Sequence, residues 1–233
     1  GLDLNFGNSE AVMELLSRIA RREGFGDILA EGGYLLAQKY RHPETFMGVK
    51  KQEMPPYDPG NIKGLGLGFA TSNWGASHAA AYTVIEEVLS MREGADPLEI
   101  EGKADLVKRF QDITAASDST GICFLALMGI WVDEIQDMLG NALWDDPQEA
   151  GYTVDDLLLA GERIWNLERI FNLKAGLLKD DDTLPRRFLE GEGTKQPCEL
   201  DQMLPEYYRI RGWDENGIPM EEKLRELGLE QDI

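Results

Sequence analysis

The chain has 233 residues, 42% of them apolar, with a formal net charge of −20 at pH 7 and a pI near 4.4. That length allows one large domain or two small ones around a real core, and the acidity excludes a general binder of nucleic acid or anionic membrane, because both demand a positive surface. No apolar run reaches the ~18–20 residues that span a bilayer, and no signal peptide is visible.

The chain opens on Gly1 rather than Met and runs almost at once into a helical pattern, which reads as a fragment whose own N-terminus lies elsewhere. Asn8 or Ser9 can cap a helix with Val12, Leu15, Leu16 and Ile19 on one face, stopped at Gly24. Asp27 can cap a second segment running to about Tyr40, weakened early by Gly32 and Gly33. Arg41-His-Pro-Glu44 breaks the pattern, and Pro55, Pro56 and Pro59 make 47–60 loop-like. A domain boundary is expected near residue 46. Residues 62–70 read as a helix faced by Gly64, Gly66 and Gly68. The spacing is not that of a dinucleotide loop; it lets either a neighbouring element or a flat cofactor approach closely. Helices are then expected over 79–91 (Val84, Ile85, Val88, Leu89), 103–117, and 133–143 (Ile135, Met138, Leu139). Thr153, with Asp156 three residues on, opens the longest helix through a capping box. Segments 200–211 and 219–227 close the chain, the last with Pro219 in its first turn and Gly228 at its end. Strand-like alternation hardly occurs, so the class is all-α.

Few residues carry obvious chemistry. His78 follows the small-residue turn Gly75-Ala-Ser77, where its ring can exchange protons near neutral pH or simply pack at a helix start. Asp118-Ser-Thr-Gly-Ile-Cys123 ends a long helix; its Asp accepts hydrogen bonds or caps the turn, and its Cys ligates iron as a thiolate or packs as a small apolar group. His42 is expected to be exposed and structural at most, and Cys198, which follows the polar stretch 191–197, incidental. Two cysteines make no disulfide framework, so the cytoplasm is the expected compartment. The run Asp180–Asp182 reads as a solvated loop, Glu162 and Asn166 as solvent-facing, and the pairs Glu86-Glu87 and Asp155-Asp156 as non-convergent. No HExxH, CxxC, phosphate loop or GxSxG motif occurs.

The order of several segments is more specific than any one of them. Lys51-Gln-Glu-Met-Pro-Pro-Tyr-Asp-Pro-Gly60 is followed by Gly64-Leu-Gly-Leu-Gly-Phe-Ala-Thr-Ser-Asn-Trp-Gly-Ala-Ser-His78, then Asp118–Cys123, then Leu200-Asp-Gln-Met-Leu-Pro-Glu-Tyr-Tyr-Arg-Ile-Arg-Gly-Trp-Asp214. Together these resemble the C-terminal part of the tungsten-containing aldehyde ferredoxin oxidoreductases, over essentially the whole chain. The resemblance implies a multi-helical, non-bundle fold with orthogonal packing. Residues 1–46 would be the last helices of the family's second domain and 47–233 its third domain. It also implies a tungsten or molybdenum bis-pterin beside a [4Fe–4S] cluster, an aldehyde substrate oxidised to a carboxylate, and ferredoxin as electron acceptor. Self-association is left open. Cys123 matches a cluster ligand, Asp118 the aspartate on a pterin's amine-bearing ring, Ile122 a backbone contact to pterin, and His78 the histidine near the metal.

Two departures stand out. Trp74 occupies a position where many family members carry Arg, and Ala80 one where Lys is common; both cations would contact the anionic cofactor. A divergent branch with another substrate, such as an aromatic thioester, fits these changes, as does a helical interaction module that has lost its site. The cluster's other three cysteines and further pterin contacts belong to family segments upstream of this stretch, so the chain alone is expected to bind neither cofactor and to be inactive.

Overall fold

A computed structural model describes residues 2–145, 151–191 and 196–230. Part of the polar stretch 191–197 therefore lies outside the described residues. The fold is all-α and multi-helical, with one two-stranded hairpin.

Helix α1 (Ser9–Arg21) starts where the Asn8 side chain accepts from the Ala11 amide at 3.1 Å. It ends at Arg22 in the left-handed region, φ 54°, short of Gly24. Its expected apolar face is not covered by this chain: Val12 and Leu16 are each 54% exposed, and Ala11 is its one buried residue. The expected segment 27–40 divides into α2 (Phe25–Leu29) and α3 (Gly32–Lys39). Gly32 sits at φ +84°, which a continuous helix cannot hold.

The stretch expected to be loop contains an antiparallel hairpin, β1 (Gly48–Val49) and β2 (Gln52–Glu53). Its turn residues Lys50 and Lys51 take positive φ (49° and 66°), a conformation lysine does not favour. Lys50 is drawn inward, where its Nζ donates to the Ala70 carbonyl (2.7 Å) and pairs with Asp182 (2.8 Å). That interior anchor holds the turn, and the sequence pattern gives no sign of it.

Helix α4 (Lys63–Thr71) is buried along its whole length. Its glycine face is filled by this chain's own atoms. A Cβ at Gly64 would meet the Glu87 carboxylate, at Gly66 the Cys198 Sγ (2.7 Å), and at Gly68 the Ala81 Cβ (3.1 Å). Close packing, not a flat cofactor, accounts for the spacing. Glu87 accepts from the Gly64 and Leu65 amides (2.9 and 3.1 Å), capping α4 from outside, and is neutralised by Lys103 (2.9 Å).

The helix expected over 79–91 is instead a 3-10 turn at Ala79–Ala81 and the short α5 (Val84–Glu87). Val84 and Ile85 are buried, whereas Val88 and Leu89 are about half exposed. Glu86 is buried too, and its carboxylate accepts from the Glu93 and Gly94 amides at 3.1 and 2.8 Å. The segment folds back around Glu86 rather than continuing.

Helix α6 (Lys103–Ser119) is central, packed against α4, α8 (Val154–Lys174) and α10 (Leu200–Arg211). Helix α7 (Val132–Leu143) packs on α8, which opens with the expected Thr153–Asp156 capping box. A Cβ at Gly161 of α8 would overlap the Asp112 carbonyl of α6, so the two backbones touch there. The chain closes with α9 (Arg186–Glu190) before α10 and α11 (Glu221–Glu226) after it. Pro219 lies before α11, bridged to Trp213, rather than in its first turn.

Two polar networks run through the core. Arg211 donates to Asp112 (2.5 Å), Gln111 (2.8 Å) and the Tyr207 hydroxyl (3.1 Å). Asp182, expected in solvent, is buried between Arg169 (2.8 Å), Lys50 and the Tyr208 hydroxyl (2.6 Å). Glu162 and Asn166 are likewise not solvent-facing. Asn166 is fully buried and accepts from the Trp213 indole (2.8 Å), while Glu162 pairs with Lys108 and Lys223 (3.4 and 3.3 Å). Asp182 and Glu162 look solvent-facing in sequence because their cations lie 13 or more positions away.

Candidate functional site

The loop between α4 and the 3-10 turn at Ala79 carries His78 and is clamped on two sides. From α8, the Trp165 carbonyl accepts from the Asn73 side chain (3.1 Å) and Asn172 donates to the Asn73 carbonyl (2.9 Å). Glu168 accepts from the Trp74 indole (3.1 Å) and from Asn73 (3.3 Å). Opposite, Gly75 at φ +91° lies against the hairpin; a Cβ there would stand 2.8 Å from the Val49 carbonyl oxygen.

His78 emerges from this clamp half-buried among rings. Its imidazole lies 5.6 Å from Tyr57, 5.8 Å from Tyr82 and 5.8 Å from Phe124 between centroids, the last edge-on at 88°. Burial lowers its pKa, so the ring is neutral at pH 7. Neither ring nitrogen has a hydrogen-bond partner among the described residues, which leaves both open to accept or donate. The Tyr57 and Tyr82 hydroxyls meet at 3.1 Å. Burial, with Tyr57 beside it, pushes the Tyr82 phenol up to about 12.

Asp118 lies in the last turn of α6, exposed. Its carboxylate has no hydrogen bond and no ion pair among the described residues. Partial desolvation raises its pKa, and the helix C-terminus is the end where a negative charge is disfavoured. The nearby Glu168 carboxyl is also raised, by burial first and by Asp118 in addition, against the hydrogen bonds from Trp74 and Asn73. No cation pairs with either carboxylate among the described residues. Past Asp118 the chain turns through Gly121 (φ +80°), and the Ile122 amide donates to Thr120 Oγ1 at 3.3 Å. Cys123 is an exposed free thiol at the start of the 3-10 segment Phe124–Met128. Phe124 then meets both His78 and Tyr82 (5.4 Å). The structure thus joins the His78 loop to the Asp118–Cys123 turn through the Phe124 ring.

The remaining candidates fall away from this site. His42 is exposed and pairs with Glu44 (3.0 Å). Cys198, read as incidental, is buried against Gly66, its thiol pushed by burial up to about 12, and packs α4 in the core. Ala80 is fully buried and Trp74 is 39% exposed. Sequence reasoning missed Tyr57, Tyr82, Phe124 and Glu168. Tyr82 was findable, since it follows His78 by one helical turn; Glu168 sits in a long amphipathic pattern that gives no signal. Among the described residues no group of three His, Cys, Asp or Glu side chains can hold a metal ion.

The family model described as "Aldehyde ferredoxin oxidoreductase, domains 2 & 3" matches residues 1–229. The tungsten-containing aldehyde ferredoxin oxidoreductase of Pyrococcus horikoshii is 50% identical over 97% of this chain and 38% of its own length. That of Pyrococcus furiosus is 47% identical over 96% and 37%. Among solved structures, the active-site complex BamBC of benzoyl-coenzyme A reductase with 1,5-dienoyl-CoA is similar at a TM-score of 0.66, with 19% identity, covering 98% of this chain and 40% of that one. The chain spans somewhat over a third of the length of these relatives. With a family match over almost its whole length, the chain belongs to the aldehyde ferredoxin oxidoreductase family.

Proposed function

We propose that this chain forms one wall of the cofactor site in a tungsten or molybdenum bis-pterin enzyme that oxidises aldehydes to carboxylates and passes the electrons through a [4Fe–4S] cluster to ferredoxin. In this reading residues 1–46 end the family's second domain, 47–233 form the third, and the whole acts in the cytoplasm, where both free thiols persist.

The observation that carries the proposal is the state of Asp118. An exposed carboxylate at a helix C-terminus, near enough to Glu168 to raise it and paired with no cation among the described residues, is an acceptor that no described side chain engages. It suits an amine-bearing heterocycle, which offers N–H donors without requiring a metal contact. The pterin fits there, with the Ile122 backbone beside it. Cys123, exposed and unpaired, fits a cluster ligand. The cluster's other ligands come from outside this chain, because Cys198 is buried in packing. When bound, these groups supply the redox step, in which an aldehyde and water yield a carboxylate, protons and an electron pair. His78, neutral and with open nitrogens, takes up a proton beside that step.

The test is elemental and pterin analysis of the complete protein, purified without air. The expected result is tungsten or molybdenum with about four irons per chain, loss of pterin in Asp118→Ala, and loss of iron in Cys123→Ser. A folded protein carrying neither metal would overturn the proposal and leave an interaction module. The isolated chain is expected to bind neither group and to show no activity.

A further inference from the structure

Resting on the reading that His78 takes up a proton beside the aldehyde's oxidation, the geometry points to the rings of Tyr57, Tyr82 and Phe124 as the substrate-selecting wall, and to an uncharged aromatic aldehyde as the substrate class it takes.

Four rings form a closed set of contacts. Besides the three contacts of His78, Tyr57 meets Tyr82 at 6.3 Å and Tyr82 meets Phe124 at 5.4 Å. The pairs involving Tyr82 are all edge-to-face, at 69° to 78°. None of the four residues is fully buried, and Tyr57, Tyr82 and Phe124 pack on the rim of the core. Leu125, 53% exposed, extends the apolar surface beside Phe124.

The polar atoms in this wall are few. The two phenol oxygens bond each other, and the Tyr82 phenol keeps its proton to about 12, so it does not become anionic in the working range. Among the described residues the cations that lie over aromatic rings do so on other rings than these. A substrate carboxylate or phosphate placed here would lose its water and find no cation. An alkyl chain gains contact area only. An aryl ring gains edge and offset contacts as well, each raising relative kcat/KM by roughly two- to twelve-fold. Phe124 is the ring most directly tied to the site, since it follows Cys123 and stands edge-on to His78.

The experiment measures kcat/KM of the complete, metal-loaded protein for benzaldehyde, butyraldehyde and 4-carboxybenzaldehyde. It is repeated on Phe124→Leu and Phe124→Tyr, with iron content checked for each. Binding of benzamide and butyramide to the same proteins is followed by saturation-transfer NMR, which needs no turnover. Expected are a benzaldehyde to butyraldehyde ratio of about five or more, rejection of the carboxylated ring, a ratio lowered about three-fold or more in Phe124→Leu, and its recovery in Phe124→Tyr. Benzamide binding should fall in parallel. A ratio near one, or one that Phe124→Leu leaves unmoved, overturns the inference while leaving the aldehyde reading intact. If no aldehyde is turned over, the aldehyde reading fails by itself, and the amides decide the wall: benzamide binding weakened by Phe124→Leu supports it, and no preference for benzamide overturns it.

Discussion

Replacing Asp182 by Asn should be among the most damaging single changes in this chain. The substitution keeps the side chain's size and removes its charge. Lys50 and Arg169, with side chains 3% and 1% exposed, would then face no anion. Breaking a buried pair by removing one partner costs about 3–5 kcal/mol. Here two cations share the carboxylate, which argues for the upper half of that range. Two backbone acceptors limit the loss, because Lys50 keeps the Ala70 carbonyl (2.7 Å) and Arg169 the Gly217 carbonyl (2.8 Å). For a domain of this size, each kcal/mol moves Tm by roughly 2–4 °C, so a drop on the order of 8–20 °C follows. Urea unfolding of residues 1–233 by circular dichroism gives the free energy, provided m is unchanged. The matched control is Asp180→Asn in the same acidic run; Asp180 is exposed, and its change should stay within about 0.5 kcal/mol. If Asp182→Asn costs less than about 1 kcal/mol, the two cations are reaching water and the buried network does not anchor the hairpin.

Acid should weaken the fold through the same carboxylate. Burial alone would raise Asp182, but Lys50 and Arg169 outweigh it and hold the group below the usual range. Its contribution is therefore complete above about 3.9 and lost as pH falls through the lower folded value; Asp182→Asn should flatten this part of the stability profile. Gly161→Ala should destabilise by upwards of about 2 kcal/mol, read by urea unfolding, because the new Cβ overlaps the Asp112 carbonyl and backbone cannot step aside. The His78 imidazole should titrate with a midpoint below about 6.5 in proton NMR, assigned by its loss in His78→Asn, since burial disfavours the charged ring; a midpoint above that value would mean an acidic neighbour reaches it. Glu168→Ala should shift tryptophan emission by freeing the Trp74 indole, and Glu168→Gln, which keeps an acceptor, should not.

How much of this was legible in sequence depends on the range of each interaction. The Thr153–Asp156 box, the Asn8 cap and the length of α6 are local, and they could be read from spacing alone. The hairpin at 48–53 was not, because Lys50 takes its turn conformation from an acceptor 20 positions away and an anion farther still. The glycines of α4 signalled close approach correctly, but spacing cannot say what approaches; Glu87, Cys198 and Ala81 do. Buried charges misled most. Asp182 and Glu162 look like solvated acids until their distant partners are placed. At the site, His78 and Asp118–Cys123 were visible as motifs. The rings around His78 come from three separate segments that only folding assembles.

The distribution of satisfied and unsatisfied groups separates scaffold from site. In the core, Arg211, Arg169, Asp112 and Asp182 each find an opposite charge within 3 Å, as buried charges must. At the site, Asp118, Cys123 and His78 have no such partner, although each lies next to a rigid support. Asp118 lies in the last turn of the central helix α6, Cys123 follows it by about one turn, and His78 leaves a loop held by hydrogen bonds from α8 and by the hairpin. A side chain that breaks a local rule without compensation inside its own chain is expected where function lies. Asp118 breaks two, as a negative charge at the wrong end of a helix and beside another carboxylate. In the proposed reading that partner is an amine-bearing cofactor, whose N–H donors take the place of the water that otherwise solvates the exposed Asp118 carboxylate.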